Sequence, residues 1–394
     1  MAEFLPFLIL LLVVAVLLRE EALLTILYLL AGAYLVGRLW THRAMASLAF
    51  RRQLPERAFL GEVVPVELEM RNRSILPLLW LQVHESLPSE LATPNYFRRV
   101  LSLGGHAQVR ERYLLHARKR GLYSIGPLEV KSGDFLGLAG EVKAYIPANQ
   151  LIVYPKIIPL VTAPLSSRFP HGTLKHTAAM FEDPARPLSK RDYVSGDSLR
   201  RVDWKASAVV GNLQVKVFES SLALQVMLFL NLNRDEYDLR WRHPASELAI
   251  VAAASLTNWV KMKKQAVGLA TNGIDPTAEG AVFPPIAPKR GRGHMMRILE
   301  VLARVQTGTS MTFVELIQRT TPRLNWGTTV VMLTTQANGD LVEEIFKMQR
   351  RGLIPILLLF GAVPGFSTTR RRLERFGVPA FLIRDESDLD AWRR

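Results

Sequence analysis

The stretch "LALQVMLFLNL" (222–232) is a continuous apolar run of the kind a strand shows when both faces of its sheet are covered. Downstream, "PASELAIVAAASLTNWVKMKK" (244–264) reads as a helix. Pro244 stands near its first turn, and Lys261, Lys263 and Lys264 stand near its end, where cations favour the helix dipole. "AVGLATNG" (266–273) is a second strand, and residues 295–305 and 312–318 are helical by spacing. "TTVVMLTTQ" (328–336), "IPILLLF" (354–360) and "PAFLIR" (379–384) continue as strands, with the helix "DLVEEIFKMQRRG" (340–352) between the first two. This alternation predicts an α/β domain over 221–394, built on a mostly parallel sheet. Ligands of such sheets bind at the carboxyl ends of strands, which points to the loop from Asn231 to Asp235.

Upstream lies "RDYVSGDSLRRVDWKAS" (191–207). Ser195 and Gly196 form a turn signal, and Asp197 is predicted to cap a short helix from Ser198. On that helix Leu199, Val202 and Ala206 share a face, while Arg200 meets Trp204 at i+4 and Asp203 at i+3. Cations and carboxylates interleave, which argues against a phosphate groove. Arginine neighbours keep Asp197 and Asp203 ionised, which argues against an acid–base pair. A structural clasp between domains is the favoured reading; a partner-binding surface and a catalytic centre are the alternatives.

Residues 54–158 carry short strand-like runs such as "VVPVELEMRN" (63–72) and "LLWLQVHESLP" (78–88), separated by turns. They predict an antiparallel β-sandwich, immunoglobulin-like in type. Residues 159–220 are linker and signature segment; 159–187, rich in Pro, Ser, Gly, His and Thr, read as a long loop. His171 and His176 within it read as exposed loop residues, not ligands. The basic run "PKRGRGHMMR" (288–297) reads as a solvated loop at a helix start.

At the N-terminus "FLPFLILLLVVAVLL" (4–18) and "ALLTILYLLAGAYLVGRLW" (22–40) flank Arg19-Glu20-Glu21. A cleaved signal and a buried soluble hairpin compete with a two-span membrane hairpin over 1–43, which hydropathy favours. Arg38, His42, Arg43, Arg51 and Arg52 then lie on the cytoplasmic side, with both termini and the bulk of the chain. The net charge of +15 over 394 residues suits an anionic leaflet or an acidic partner. The absence of Cys excludes disulfides, thiolate metal sites and a Cys nucleophile. No P-loop, Gly-x-Ser-x-Gly or His-Glu-x-x-His motif occurs.

The segment around 193–219 resembles the signature of the bacterial "domain of unknown function 58" family, Tyr-x-x-Gly-Asp-x-x-Arg-x-x-Asp-Trp-x-x-Ser. Tyr193, Gly196, Asp197, Arg200, Asp203, Trp204, Ser207 and Glu219 match it, with Arg201 and Lys205 inside the same segment. "RG-x-Y-x-x-GP" at 120–127 belongs to the same resemblance. It implies a two-span hairpin, a β-rich domain and a von Willebrand factor A-like α/β domain. It also implies a MoxR-type AAA ATPase as a protein partner, and it supplies no catalytic activity. Domains of the von Willebrand type hold a divalent metal through Asp-x-Ser-x-Ser; here Asn231, Asn233 and Asp235 occupy that place, so no metal or other cofactor is expected.

The expectation is therefore a membrane-anchored scaffold or adaptor at the inner face of the cell membrane, without enzymatic activity. A cell-envelope hydrolase or transferase using Asp197 and Asp203 is the alternative, and a nucleic-acid or anionic-membrane binder the second. Membrane lipid and a protein are the expected partners, and specific nucleic acid is not.

Overall fold

A computed structural model describes residues 4–19, 21–138, 140–161, 182–194, 197–199, 202–220, 225–390 and 392. The chain resolves into two compact units, one of Met1–Lys156 with Leu299–Val305, the other of Ile157–Ile298 with Gln306–Arg394.

In the first unit, helices α1 (Phe4–Leu18) and α2 (Glu21–Ala46) precede ten strands. These are β1 (Leu48–Gln53), β2 (Arg57–Phe59), β3 (Val63–Asn72), β4 (Leu78–Ser86), β5 (Tyr96–Leu103), β6 (Gln108–His116), β7 (Gly121–Ile125), β8 (Leu128–Gly133), β9 (Glu141–Ile146) and β10 (Asn149–Tyr154). They form three sheets, ordered β1-β3-β6, β2-β10-β7 and β5-β4-β8-β9. Pairing is antiparallel except between β10 and β2, so the unit is not the purely antiparallel one expected. Period-two alternation explains the burial: Val64, Val66, Leu68 and Met70 of β3 point inward while their neighbours face out.

Helix α2 is long and apolar enough to cross a membrane, and its apolar length is almost unburied within the chain. Its last turns are different. Ala44 and Met45 enter the same core as Leu68, Leu81, Val83 and Val130, and Trp40 Nε1 donates to Pro77 O at 2.8 Å. Arg52, expected among the leaflet-facing cations, is instead interior. Its guanidinium lies 2.6 Å from Glu85 with side chains 3% and 0% exposed, because β1 alternates and turns this residue inward. Burial pushes the Glu85 carboxyl above its ordinary value, against the pull of Tyr113 and Arg52.

Within this unit Arg120 of the "RG-x-Y-x-x-GP" stretch donates to Leu302 O at 2.9 Å, Ala303 O at 3.1 Å and Val305 O at 2.9 Å. Leu302 and Ala303 lie in the last turn of a helix (Arg292–Arg304, α5 below) and Val305 follows it, and the one Nη1 of Arg120 is shared among their three carbonyls.

The second unit opens with β11 (Glu182–Asp192), α3 (Trp204–Val210) and β12 (Gln214–Ser220), the two strands forming an antiparallel pair. The loop expected over 159–187 is thus overturned from Glu182 on. Pro184 and Pro187 are tolerated because β11 pairs on one side only and shifts register around Pro187. Next come β13 (Gln225–Leu230), α4 (Arg242–Met262), β14 (Ala266–Thr271), β15 (Ile286–Lys289), α5 (Arg292–Arg304), α6 (Phe313–Thr320), β16 (Thr329–Thr334), α7 (Gly339–Arg350), β17 (Ile354–Phe360), α8 (Phe366–Glu374), β18 (Ala380–Ile383) and α9 (Glu386–Asp390). The sheet is ordered β15-β14-β13-β16-β17-β18, parallel apart from the edge strand β15. The basic run 288–297 is therefore not a free loop; it enters the end of β15 and the first turns of α5.

Met227, Phe229, Val330 and Met332 pack with Phe313, Leu316 and Ile317 of α6 and with Leu341, Ile345 and Met348 of α7. Leu228, Leu230, Val331 and Leu333 alternate onto the other face and are equally buried, and α4 packs against β13, β14, β16 and β17. Chain order reverses between β13 and β16, which opens a crevice at their carboxyl ends.

Candidate functional site

Asn231 follows β13 directly and is fully buried. Its Nδ2 donates to Glu236 Oε2 at 2.7 Å and to Thr334 Oγ1, at the end of β16, at 2.9 Å. Its Oδ1 accepts from Asn233 N and from Asn272 Nδ2, each at 3.0 Å. Asn233 Nδ2 donates to Glu236 Oε1 at 3.3 Å and to Met311 O at 3.2 Å. Phe313 N adds a donor to Glu236 Oε1 at 2.9 Å, which places this carboxylate against the positive end of α6. Tyr237 closes the base, its hydroxyl donating to Asn231 O at 2.5 Å; burial raises the pKa of that hydroxyl and keeps it a donor.

Asp235 stays outside this cluster, exposed on a 3-10 turn (Arg234–Glu236), with its N–H donating to Asn233 Oδ1. The carboxylate that meets the amides is Glu236, which sequence reading passed over. Its spacing of three residues from Asn233, an Asn-x-x-Glu, is the capping-box type of signal that could have found it. Asn272 and Thr334 were also missed, since sequence spacing does not show which strand ends become neighbours.

A hard divalent cation takes oxygen ligands and usually one or two carboxylates. Here the Asn231 and Asn233 amide nitrogens are turned toward Glu236, and both of its oxygens already accept hydrogen bonds. This donor set does not fit a cation: a hydrogen-bonded network occupies the position the metal would need.

Beside the network a cleft is lined by Glu236, Val314, Gln318, Asp340, Glu343 and Lys347, among others. Thr312 caps α6 with a reciprocal bond to Glu315, and Asn338 caps α7, so both helices start at this cleft. Lys347 Nζ lies 2.8 Å from Glu343 Oε1 and 3.6 Å from Glu344 Oε2; hydrogen bonding to Lys347 holds the Glu343 carboxyl below its ordinary value. Asp340 and Glu343 are exposed at the rim.

The signature residues fold differently from expectation. The helix starts at Trp204, and Asp203 caps it, its Oδ1 accepting from Ala206 N at 3.1 Å. Asp197 accepts from both Arg191 Nη atoms at 2.7 Å and from Val194 N at 3.0 Å; the helix expected from Ser198 runs into residues outside the described ones. A bidentate arginine two residues before Tyr193 claims Asp197. Lys190 Nζ lies 3.0 Å from Asp203 Oδ2, and this contact, with the Ala206 N–H, holds the Asp203 carboxyl below its ordinary value. Ser207 Oγ donates to Asp203 O and accepts from Gln214 N, each at 2.8 Å, while Gln214 Nε2 bonds Asp192. Tyr193 N reaches Leu213 O, Trp204 and Lys205 are exposed, and Glu219 lies on β12. Gly196, Arg200 and Arg201 lie outside the described residues, as do His171 and His176, and with them the expected Arg200 contacts to Trp204 and Asp203.

Residues 189–349 match the sequence model of the family described as "Protein of unknown function DUF58". The "Uncharacterized protein YeaD" of Bacillus subtilis (strain 168) is 23% identical over 254 residues, 61% of this chain and 58% of that protein. The matched part thus spans little more than half of that relative's length. The CARDB domain of the PF1109 protein from Pyrococcus furiosus is 11% identical, covering 27% of this chain and 86% of that one, with a TM-score of 0.20. A β-glucosidase from Listeria innocua is 14% identical, covering 27% and 16%, with a TM-score of 0.17. Likeness at these scores carries no argument about the fold.

Proposed function

We propose, for a chain that fits the DUF58 family through residues 189–349, that it works by binding and not by turnover, as a membrane-anchored scaffold. Its α/β unit, for which the family resemblance implies a von Willebrand factor A-like fold, holds a basic face of a partner protein in the cleft between α6 and α7. The observation that carries this reading is the cleft itself. It opens at the crevice where the sheet reverses chain order, with Asp340 and Glu343 exposed at its rim on a chain of net charge +15. Anchoring is supported by α2, with α1 as the second arm of a two-span hairpin and exposed Arg38, His42 and Arg43 on the cytoplasmic side. Arg52 no longer counts toward that orientation.

Binding is preferred over acid–base chemistry because Asp197 and Asp203 are each held by a cation and a backbone N–H. A photo-crosslinking residue at Gln336, in the chain within its native membrane, should give a discrete adduct. Asp340→Lys with Glu343→Lys should abolish that adduct while the chain stays folded, with a small fall in melting temperature from the lost Lys347 pair and the cation at the start of α7. No adduct, or one indifferent to the charge reversal, would overturn the reading. A MoxR-type ATPase is the partner the family resemblance proposes, and the identity of the adduct tests it.

A further inference from the structure

Between Glu21 and Arg38, α2 is free of charge over residues 22–37, sixteen residues. At 1.5 Å per residue these span about 24 Å, whereas the hydrocarbon core of a bilayer is about 30 Å thick. The last turns of α2 do not make up the difference, because they carry Arg38, His42 and Arg43 and one side of them is held by the β-rich core. Thr41, Ala44 and Met45 are buried there, and Trp40 is tied to Pro77. A Cβ built on Gly37 would stand 3.0 Å from the Asp134 Cβ, so the loop between β8 and β9 already presses on the helix at that level. α1, at fifteen residues and about 22 Å, is shorter still.

That loop carries two large apolar side chains turned to the outside: Phe135 is 80% and Leu136 59% exposed. Leu79 of β4 is exposed beside them, and Val36, Gly37, Trp40, Pro77, Leu79 and Phe135 line one cleft against α2. From these relations we infer that the rim formed by the β8–β9 loop and the start of β4 is a lipid-binding surface. It sinks into the headgroup–acyl boundary around α2, and the bilayer is its occupant. Apolar faces bury by about 5–10 Å at such boundaries, which matches the shortfall of about 6 Å left by the charge-free residues 22–37 of α2. Arg38, its guanidinium 2.9 Å from the Tyr34 hydroxyl, is then the cation at headgroup level.

This inference rests on the membrane-anchored reading, and the test separates the two. The chain contains no Cys, so single-Cys variants of the full chain report from one place each. Phe135→Cys, Leu29→Cys and Asn95→Cys are labelled with an environment-sensitive nitrobenzoxadiazole. Each is then reconstituted into phosphatidylcholine–phosphatidylglycerol vesicles. Leu29 is exposed in the middle of α2, and Asn95 lies beyond the far end of β4 from Leu78. The label at 135 should be blue-shifted and quenched by lipids bearing a nitroxide near the headgroup. The label at 29 should be quenched by a nitroxide deep in the acyl chain, and the label at 95 by neither. Lipid quenching at 29 with a water-like label at 135 would overturn the lipid-binding rim and leave the anchor standing. Water-like labels at both would overturn the anchor, and the rim with it.

Discussion

Lys190 Nζ stands 3.0 Å from Asp203 Oδ2, so a strand residue grips the carboxylate that caps α3. Asp203 thus joins β11 to the helix start, while Asp203 N donates to Gln214 O of β12 at 2.8 Å. Asp203→Ala removes cap and ion pair together, whereas Asp203→Asn keeps a capping side chain and loses the charge. Thermal melts should therefore fall further for the Ala variant. The carboxyl is held low by Lys190 and Ala206, so its contribution is complete above the ordinary value of 3.8. It disappears as pH falls through the lower folded value. The Asn variant should lack this acid-side loss; the same acid slope in both proteins would sink the assignment.

The Arg52–Glu85 pair is buried, and removing one partner leaves the other charge without compensation. Arg52→Met should cost about 3–5 kcal/mol, read by denaturant unfolding of the detergent-solubilised chain. Glu85 carries the opposite pH sign to Asp203. Its folded pKa is raised by burial, so the native state holds the proton longer. The group's contribution is complete below the ordinary value of 4.5 and is lost as pH rises through the raised folded value. Glu85→Gln should flatten that part of the stability profile.

Glu236 accepts from Asn231 Nδ2, Asn233 Nδ2 and Phe313 N. Glu236→Ala leaves these donors facing an empty acceptor, at about 1–3 kcal/mol for each one that stays buried and unpaired. Because the network fills the place of a metal, Mg²⁺ should leave the melting temperature of the native chain unchanged. A clear upward shift would show a cation bound to the folded state.

Arg120 should matter through the placing of its Nη1, from which all three of these bonds run. Arg120→Ala strands the carbonyls of Leu302, Ala303 and Val305 and should lower the melting temperature. Arg120→Lys should recover only part of the loss, because an ammonium does not reproduce the planar donor geometry. Full recovery with Lys would show that charge alone matters.

The strands β3, β4, β13, β14, β16 and β17 and the helices α4 and α7 were all legible in the sequence, since alternation and apolar runs are local signals. β2, β5 and α8 were missed because they are short or mostly polar, and tertiary pairing, not propensity, keeps them in place. β11 was hidden by its prolines, which only its pairing on one side makes acceptable. Among site residues the loop after β13 was found, but Asp235 was named where Glu236 serves. Asp197 was read as the cap of a helix from Ser198, a stretch that runs outside the described residues, while the helix that starts at Trp204 is capped by Asp203.

By itself the sequence determined the longer apolar strands and helices, the membrane-length helix, the α/β alternation and the location of a polar loop at a strand end. All of these follow from periodicity and hydropathy within a few turns of chain. Only the tertiary structure decided which carboxylate meets Asn231, that Arg52 turns inward, and that Ala44 and Met45 at the end of α2 belong to a β core. Those depend on groups far apart in sequence, whose desolvation and hydrogen bonding are settled only when the strands that carry them are side by side.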